Sequence, residues 1–125
     1  MGYKQILKQQ QSSSLNKKID DTSAFVLESD HQGRAIELDV RLRTNDRYAW
    51  PYSYKTGIKF DVSGEIVIYF TTHTLIIAGR NLAPLYDGLI KHEVTQIREH
   101  DAQYDDLPER ATVISTIMVE EVGRT

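Results

Sequence analysis

The sequence predicts an α+β fold. It should be an antiparallel β-meander of about five or six strands, able to close partly into a small barrel, with one amphipathic helix packed on it in the C-terminal half and a final strand. Three observations predict it. Ile36, Leu38, Val40 and Leu42 alternate with Glu37, Asp39, Arg41 and Arg43, the period of two that belongs to a half-buried strand. Past Gly79-Arg80 the apolar residues Leu82, Leu85, Tyr86, Leu89, Ile90, Val94 and Ile97 fall at helical spacings. Residues 111–122 are rich in β-branched side chains (Thr112, Val113, Ile114, Thr116, Ile117, Val119), which suit a strand.

Taken in order, residues 1–20 form a flexible arm and 21–125 a single domain. The arm holds four lysines against one aspartate, with a Gln9–Gln11 and Ser12–Ser14 tract and too few apolar groups to offset its ordering entropy. Order should begin near Ala24 with a short strand, followed by a turn at Ser29–Gly33. After the strand 36–42, Ile58, Phe60 and Val62 alternate with Lys59 and Asp61. The segment Asp61-Val62-Ser63-Gly64-Glu65 suits a three-residue hairpin loop, with Asp at the turn's start and Gly as the left-handed residue of a bulge. That register sets Ile58 and Phe60 on the face of Ile66 and Ile68.

Ile66–Phe70 is apolar on both faces, so it should be central or covered on both sides. A two-residue loop at Thr72-His73 would pair Phe70 with Leu75 and Ile68 with Ile77, with His73 as a turn residue. The helix then runs over 82–99, with Asn81 as N-cap and Pro84 in its first turn. Its stripe Leu85, Leu89, Ile90, Val94 and Ile97 docks on the sheet. An acidic stretch, His100 to Pro108, ends it, and 111–122 forms the last strand. A free edge there would invite aggregation, so the strand should be inserted in the sheet or paired across a two-fold axis.

Composition narrows the chemistry. With 125 residues and no cysteine there is no disulfide framework and no thiol-ligated metal. No stretch reaches the ~18 apolar residues of a membrane span, and residues 1–14 lack the apolar core of a signal peptide. The expectation is a soluble, cytoplasmic protein. No phosphate-cradling glycine loop, zinc-protease helix or nucleophile elbow is present, so no cofactor, no metal and no catalytic residue is expected. His92, Gln96 and His100 would share a helix face, but the two histidines would lie ~12 Å apart, too far for one ion. His100 with Asp101, Asp105 and Asp106 lacks calcium-loop spacing.

The most distinctive segment is 47–55, where Tyr48, Trp50, Tyr52 and Tyr54 occupy alternate positions between Arg47 and Lys55. Such rings could stack bases while Arg43, Arg47, Lys55 and Lys59 hold phosphates, or they could fill a core or an interface. Register separates these readings. A two-residue turn at Asn45-Asp46 sets Tyr48 opposite Arg43 and Trp50 opposite Arg41, facing out. A three-residue loop, Thr44–Asp46, sets them opposite Leu42 and Val40, facing in. Burial favours the second, because exposing both rings forfeits several kcal/mol at roughly 25 cal/mol per Å². Net charge is −3, with the basic arm opposed by an acidic segment after residue 98. The reading that follows is a non-enzymatic, self-associating binding or adaptor domain, most simply a homodimer. The alternative is a single-stranded RNA or DNA binder using Arg43, Arg47, Tyr48, Trp50, Tyr52, Tyr54 and Lys55. An enzyme whose site shows no motif comes third.

Overall fold

The computed structural model describes residues 24–27, 34–100 and 108–123. The arm expected over 1–20, the turn at Ser29–Gly33 and the aspartates Asp101, Asp105 and Asp106 lie outside the described residues. The elements are β1 (Phe25–Leu27), β2 (Glu37–Arg41), β3 (Arg47–Pro51), a 3-10 turn (Tyr52–Tyr54), β4 (Lys55–Phe60), β5 (Ile66–Phe70), β6 (His73–Arg80), α1 (Ala83–Ile90), β7 (Val94–Arg98) and β8 (Val113–Glu121). The α+β class is as the sequence predicts. The strands are more numerous than expected and divide into two four-stranded sheets, β1-β7-β2-β3 and β4-β5-β6-β8, without closing into a barrel. The first sheet is mixed, because β2 and β7 run parallel. Leu38, Val40, Trp50, Val94 and Ile97 from one sheet join Ile66, Ile68, Phe70, Leu75 and Ile77 from the other, with Leu85 and Leu89 of α1, in one buried cluster. Each such side chain contributes about 1.5–3 kcal/mol of burial.

The hairpins show how turn chemistry sets register. At 61–65 the loop is the expected one: Gly64 N–H donates to Asp61 O, Asp61 N–H to Glu65 O, and Gly64 has φ 95°. Ile58 then faces Ile68, and Phe60 faces Ile66. At the next hairpin Ile68 pairs with Leu75 and Ile66 with Ile77, so the loop is Thr71-Thr72, and His73 is the first residue of β6 rather than a turn residue. The shift of two residues preserves the faces, and the inner one stays apolar. Between β2 and β3 the loop has the three residues of the favoured version but lies one residue earlier, at Arg43–Asn45. Leu42 N–H donates to Asp46 O, Asn45 takes φ 81°, Val40 faces Tyr48 and Leu38 faces Trp50. Again the offset is even, so Trp50 points inward.

The helix expected over 82–99 is corrected. It ends at Ile90, and Val94–Arg98 is a strand. His92 takes φ 58°, its N–H donates to Leu89 O and Glu93 N–H to Gly88 O, a paired reversal that closes a helix with one left-handed residue. Leu85 and Leu89 are buried as expected, whereas Ile90 is exposed. Val94 and Ile97 are buried, but on β7, where the bulge in its pairing with β1, between Val26 and Leu27, interrupts the period of two and admits a spacing of three. Asn81 is not an N-cap either. It sits at φ 51° before the capping position, and its Nδ2 donates to Glu109 O and Ala111 O, tying the helix start to the segment that leads into β8.

β8 is an edge strand, and the first half of its outer edge is occupied by other chain segments. Glu99 Oε2 accepts the Ile117 N–H at 2.9 Å, while Arg43 donates to Ser115 O and His100 N–H to Ile114 O. Glu99 also accepts the Arg43 N–H at 2.8 Å and pairs with its guanidinium. This clip ties the first sheet to the second and covers strand-pairing groups without a second chain.

Gly79 shows how tightly β6 and β8 approach at their bulge. A Cβ there would stand 1.9 Å from Val113 O and 2.9 Å from Ile114 Cα, both backbone atoms. We expect Gly79→Ala to cost about 3 kcal/mol or more, at or beyond the upper end of ordinary overpacking, despite the exposure of this residue. Gly123→Ala, where a Cβ meets nothing within 4 Å, should be silent in the same denaturant titration. Equal midpoints for the two variants would refute the close approach.

Candidate functional site

Segment 47–55 does not form one continuous aromatic strand. β3 ends at Pro51, whose fixed φ leads into the 3-10 turn, so the rings divide into two groups. Trp50, only 6% exposed, stacks with Tyr48 (centroids 5.1 Å, planes 8° apart) and with Phe70 (5.4 Å, 21°). Its third neighbour is His73, at 5.1 Å and tilted by 48°. Tyr48 is 36% exposed. Tyr52 turns the other way: its hydroxyl donates to Val94 O at 2.6 Å, and its ring stacks on His92 at 4.4 Å. Tyr54 is exposed on the turn.

The flanking cations are engaged within the fold. Arg43 belongs to the clip on β8, Arg47 pairs with Asp39 at 3.0 Å, and Lys55 Nζ donates to Leu89 O at 3.1 Å near the end of α1. Lys55 thus places its charge at the negative end of the helix, 5.8 Å from the centre of the Tyr52 ring. Burial holds the Lys55 ammonium below the usual lysine range and pushes the Tyr52 phenol well above its own. His92 is held below the ordinary imidazole value, first by burial and then by the charges of Lys55 and Arg34.

The site that the fold assembles lies at one end of the sheets. His73, Phe70 and Glu121 come together there because β6 pairs with β5 on one side and β8 on the other, with His73 directly opposite Glu121. The turn and the end of β8 are tied by Val122 N–H donating to Thr72 O. Thr71, Thr72, His73, Glu121 and Val122 line a groove of about 470 Å³. The Trp50 indole N–H donates to His73 Nδ1 at 3.2 Å. Indole nitrogen only donates, so Nδ1 is the accepting nitrogen and the ring proton belongs on Nε2. Thr72 Oγ1 meets the same Nδ1 at 2.8 Å. With Nδ1 unprotonated, the Thr72 hydroxyl also donates to it, and the two donors orient the ring. His73 therefore couples the aromatic cluster to the groove.

Of the residues singled out by sequence, Tyr48 and Trp50 reach this end of the molecule together, and Tyr52 and Lys55 meet His92 at the end of α1. His92, Gln96 and His100 do not share a helix; they lie after α1, on β7 and after β7. Among the described residues there is no group of three or more His, Asp or Glu side chains able to hold a metal ion, and no helix long and apolar enough to cross a membrane. Sequence reasoning missed His73, Thr71, Thr72 and Glu121. The signal was the hairpin register: a Thr71-Thr72 loop puts His73 beside Phe70. Comparison of the chain with protein-family models, with curated proteins and with solved structures gives no match.

Two consequences follow for stability. Tyr52→Phe leaves the buried Val94 carbonyl without its donor and should cost about 1–3 kcal/mol in a denaturant titration; an unchanged midpoint would remove that bond from the account. Because His92 binds its proton more weakly folded than unfolded, its contribution is fully present above its ordinary value of 6.5 and is lost as pH falls through 6.5 toward the lower folded value. His92→Asn keeps a residue tolerant of positive φ and removes the titration. The fall in Tm from about pH 7.5 to 5.5 should be smaller in this variant than in the wild type, and equal falls would contradict the assignment.

Proposed function

We propose that this chain is a non-enzymatic, self-associating binding or adaptor module, whose ligand site is the groove beside His73 and whose partner is a peptide segment carrying a cationic side chain. The observation that carries this reading is the groove itself: two threonine hydroxyls, the His73 ring oriented by Trp50, an apolar Val122 and the carboxylate of Glu121. Such a lining offers donors and acceptors to a peptide backbone and a counter-charge to a lysine or arginine. The alternative partner, single-stranded RNA or DNA, would find Tyr48 as a stacking surface. The cations Arg43, Arg47 and Lys55 that would hold its phosphates are engaged with Glu99, Asp39 and Leu89 O. Charge therefore favours the peptide.

Trp50 is the only tryptophan and is bonded to His73, so its emission reports on the groove. Titration with a short peptide of alternating lysine and leucine should change that emission saturably. The glutamate counterpart should not, and Glu121→Gln should weaken the lysine response. No response to the lysine peptide would overturn the peptide reading, and a saturable response to oligouridylate instead would transfer the site to single-stranded nucleic acid.

A further inference from the structure

The outer face of the second sheet carries a row of side chains set by register: Lys59 on β4, Val67 on β5, Ile76 on β6 and Met118 on β8. The adjoining row holds Gly57, Tyr69, Thr74 and Glu120 in the same strand order. The opposite face, with Ile68 and Leu75 fully buried, lines the core. Outside, Tyr69 on the inner strand β5 is 38% exposed and Met118 on the edge strand β8 is 53% exposed. We propose that this face is the self-association surface of the protein, and that a second copy of the chain covers it.

Charge selects the occupant and the geometry. Across these two rows the face has a half-buried apolar centre, one cation at the β4 edge (Lys59) and one carboxylate at the β8 edge (Glu120). That pattern is self-complementary, as an isologous contact requires. A two-fold axis along the strands lays the β4 edge of one copy over the β8 edge of its partner. Val67 then meets the partner's Ile76, and the Lys59 stem crosses the partner's Met118 to bring its ammonium to the partner's Glu120. An axis across the strands would lay each edge over its own copy, gathering both Lys59 side chains at one edge and both Glu120 side chains at the other, so the first arrangement is the one that charge permits. The edges point the same way: the Glu99–Arg43 clip occupies part of the β8 edge, which leaves a face available for association rather than that stretch of edge. Four strands at ~4.8 Å and five residues at ~3.3 Å make a patch of ~19 by ~17 Å. Such a patch, ~320 Å² on each copy, lies below the size of a standard specific interface and implies a weak, concentration-dependent dimer.

This inference rests on the self-association proposed above, and the test separates the two. In sedimentation of the full chain from micromolar concentration upward, the wild type should pass from 14.3 kDa to twice that mass. Met118→Asp should remain monomeric with an unchanged circular dichroism spectrum. Lys59→Glu and Glu120→Lys should each weaken the dimer by about tenfold, since the axis counts the pair twice. The double variant Lys59→Glu/Glu120→Lys should recover the wild-type constant, which a merely structural effect would not do. A wild type monomeric at every concentration overturns self-association altogether. A dimer indifferent to all three single substitutions overturns only this surface. A monomer in which the cysteine of Met118→Cys, the only thiol in the chain, resists labelling would give the face to another segment of the same chain.

Discussion

The left-handed backbone at His92 is the constraint on which the rest of the architecture depends. Without a reversal there, the apolar spacing of 82–97 would continue as one helix, and the first sheet would lose the strand that holds β1 and β2 together. The turn costs a non-glycine residue in an uncommon region. It is offset locally by the two hydrogen bonds that satisfy the last carbonyls of α1 and by Ala35 N–H donating to His92 O at 2.7 Å. It also delivers Glu99 to the edge of β8. A carboxylate that accepts two backbone N–H groups and pairs with Arg43 joins the two sheets by polar bonds as well as by the core beneath them.

The same geometry distributes the aromatic residues. Alternation along 48–54 suggests one surface, yet Pro51 and the turn after it send Trp50 to the β5–β6 end and Tyr52 to the end of α1. Each group then has its own histidine, His73 for one and His92 for the other. Their roles differ: His73 is oriented by donors and borders an open groove, whereas His92 is stacked, positioned by its backbone and disfavoured as a cation. Arg43, Arg47 and Lys55 are drawn into the fold, which shifts the balance of the groove toward the carboxylate of Glu121.

Apolar content on both sides of β5 is accounted for in two ways. Ile66, Ile68 and Phe70 fill the space between the sheets, and Val67 and Tyr69 lie on the outside with Ile76 and Met118. The edge of β8, by contrast, meets its hydrogen-bonding needs from within the chain along its first half. Burial of groups on a face and pairing of groups at an edge are separate requirements, and here different parts of the molecule answer them.

By itself the sequence determined the α+β class, the strands at 37–41 and 66–70 (though not the 78% exposure of Ile36), the loop at Gly64 and the start of the helix near Pro84, and it favoured the inward face of Trp50. Each of these rests on local periodicity or on the backbone preference of one residue, which neighbours in the chain reveal. It misplaced the hairpin loops at 42–46 and 71–72, because an even shift of register keeps every side chain on its face and so leaves no mark in the hydrophobic pattern. Only the tertiary structure decided that Val94–Arg98 is a strand, since a spacing of three fits a helix and a bulged strand alike until β1 and β2 supply partners on either side. Only it brought Glu121 opposite His73, and Glu99 to Ile117. Contacts between residues so far apart in sequence arise from the closing of the two sheets, and no local preference encodes them.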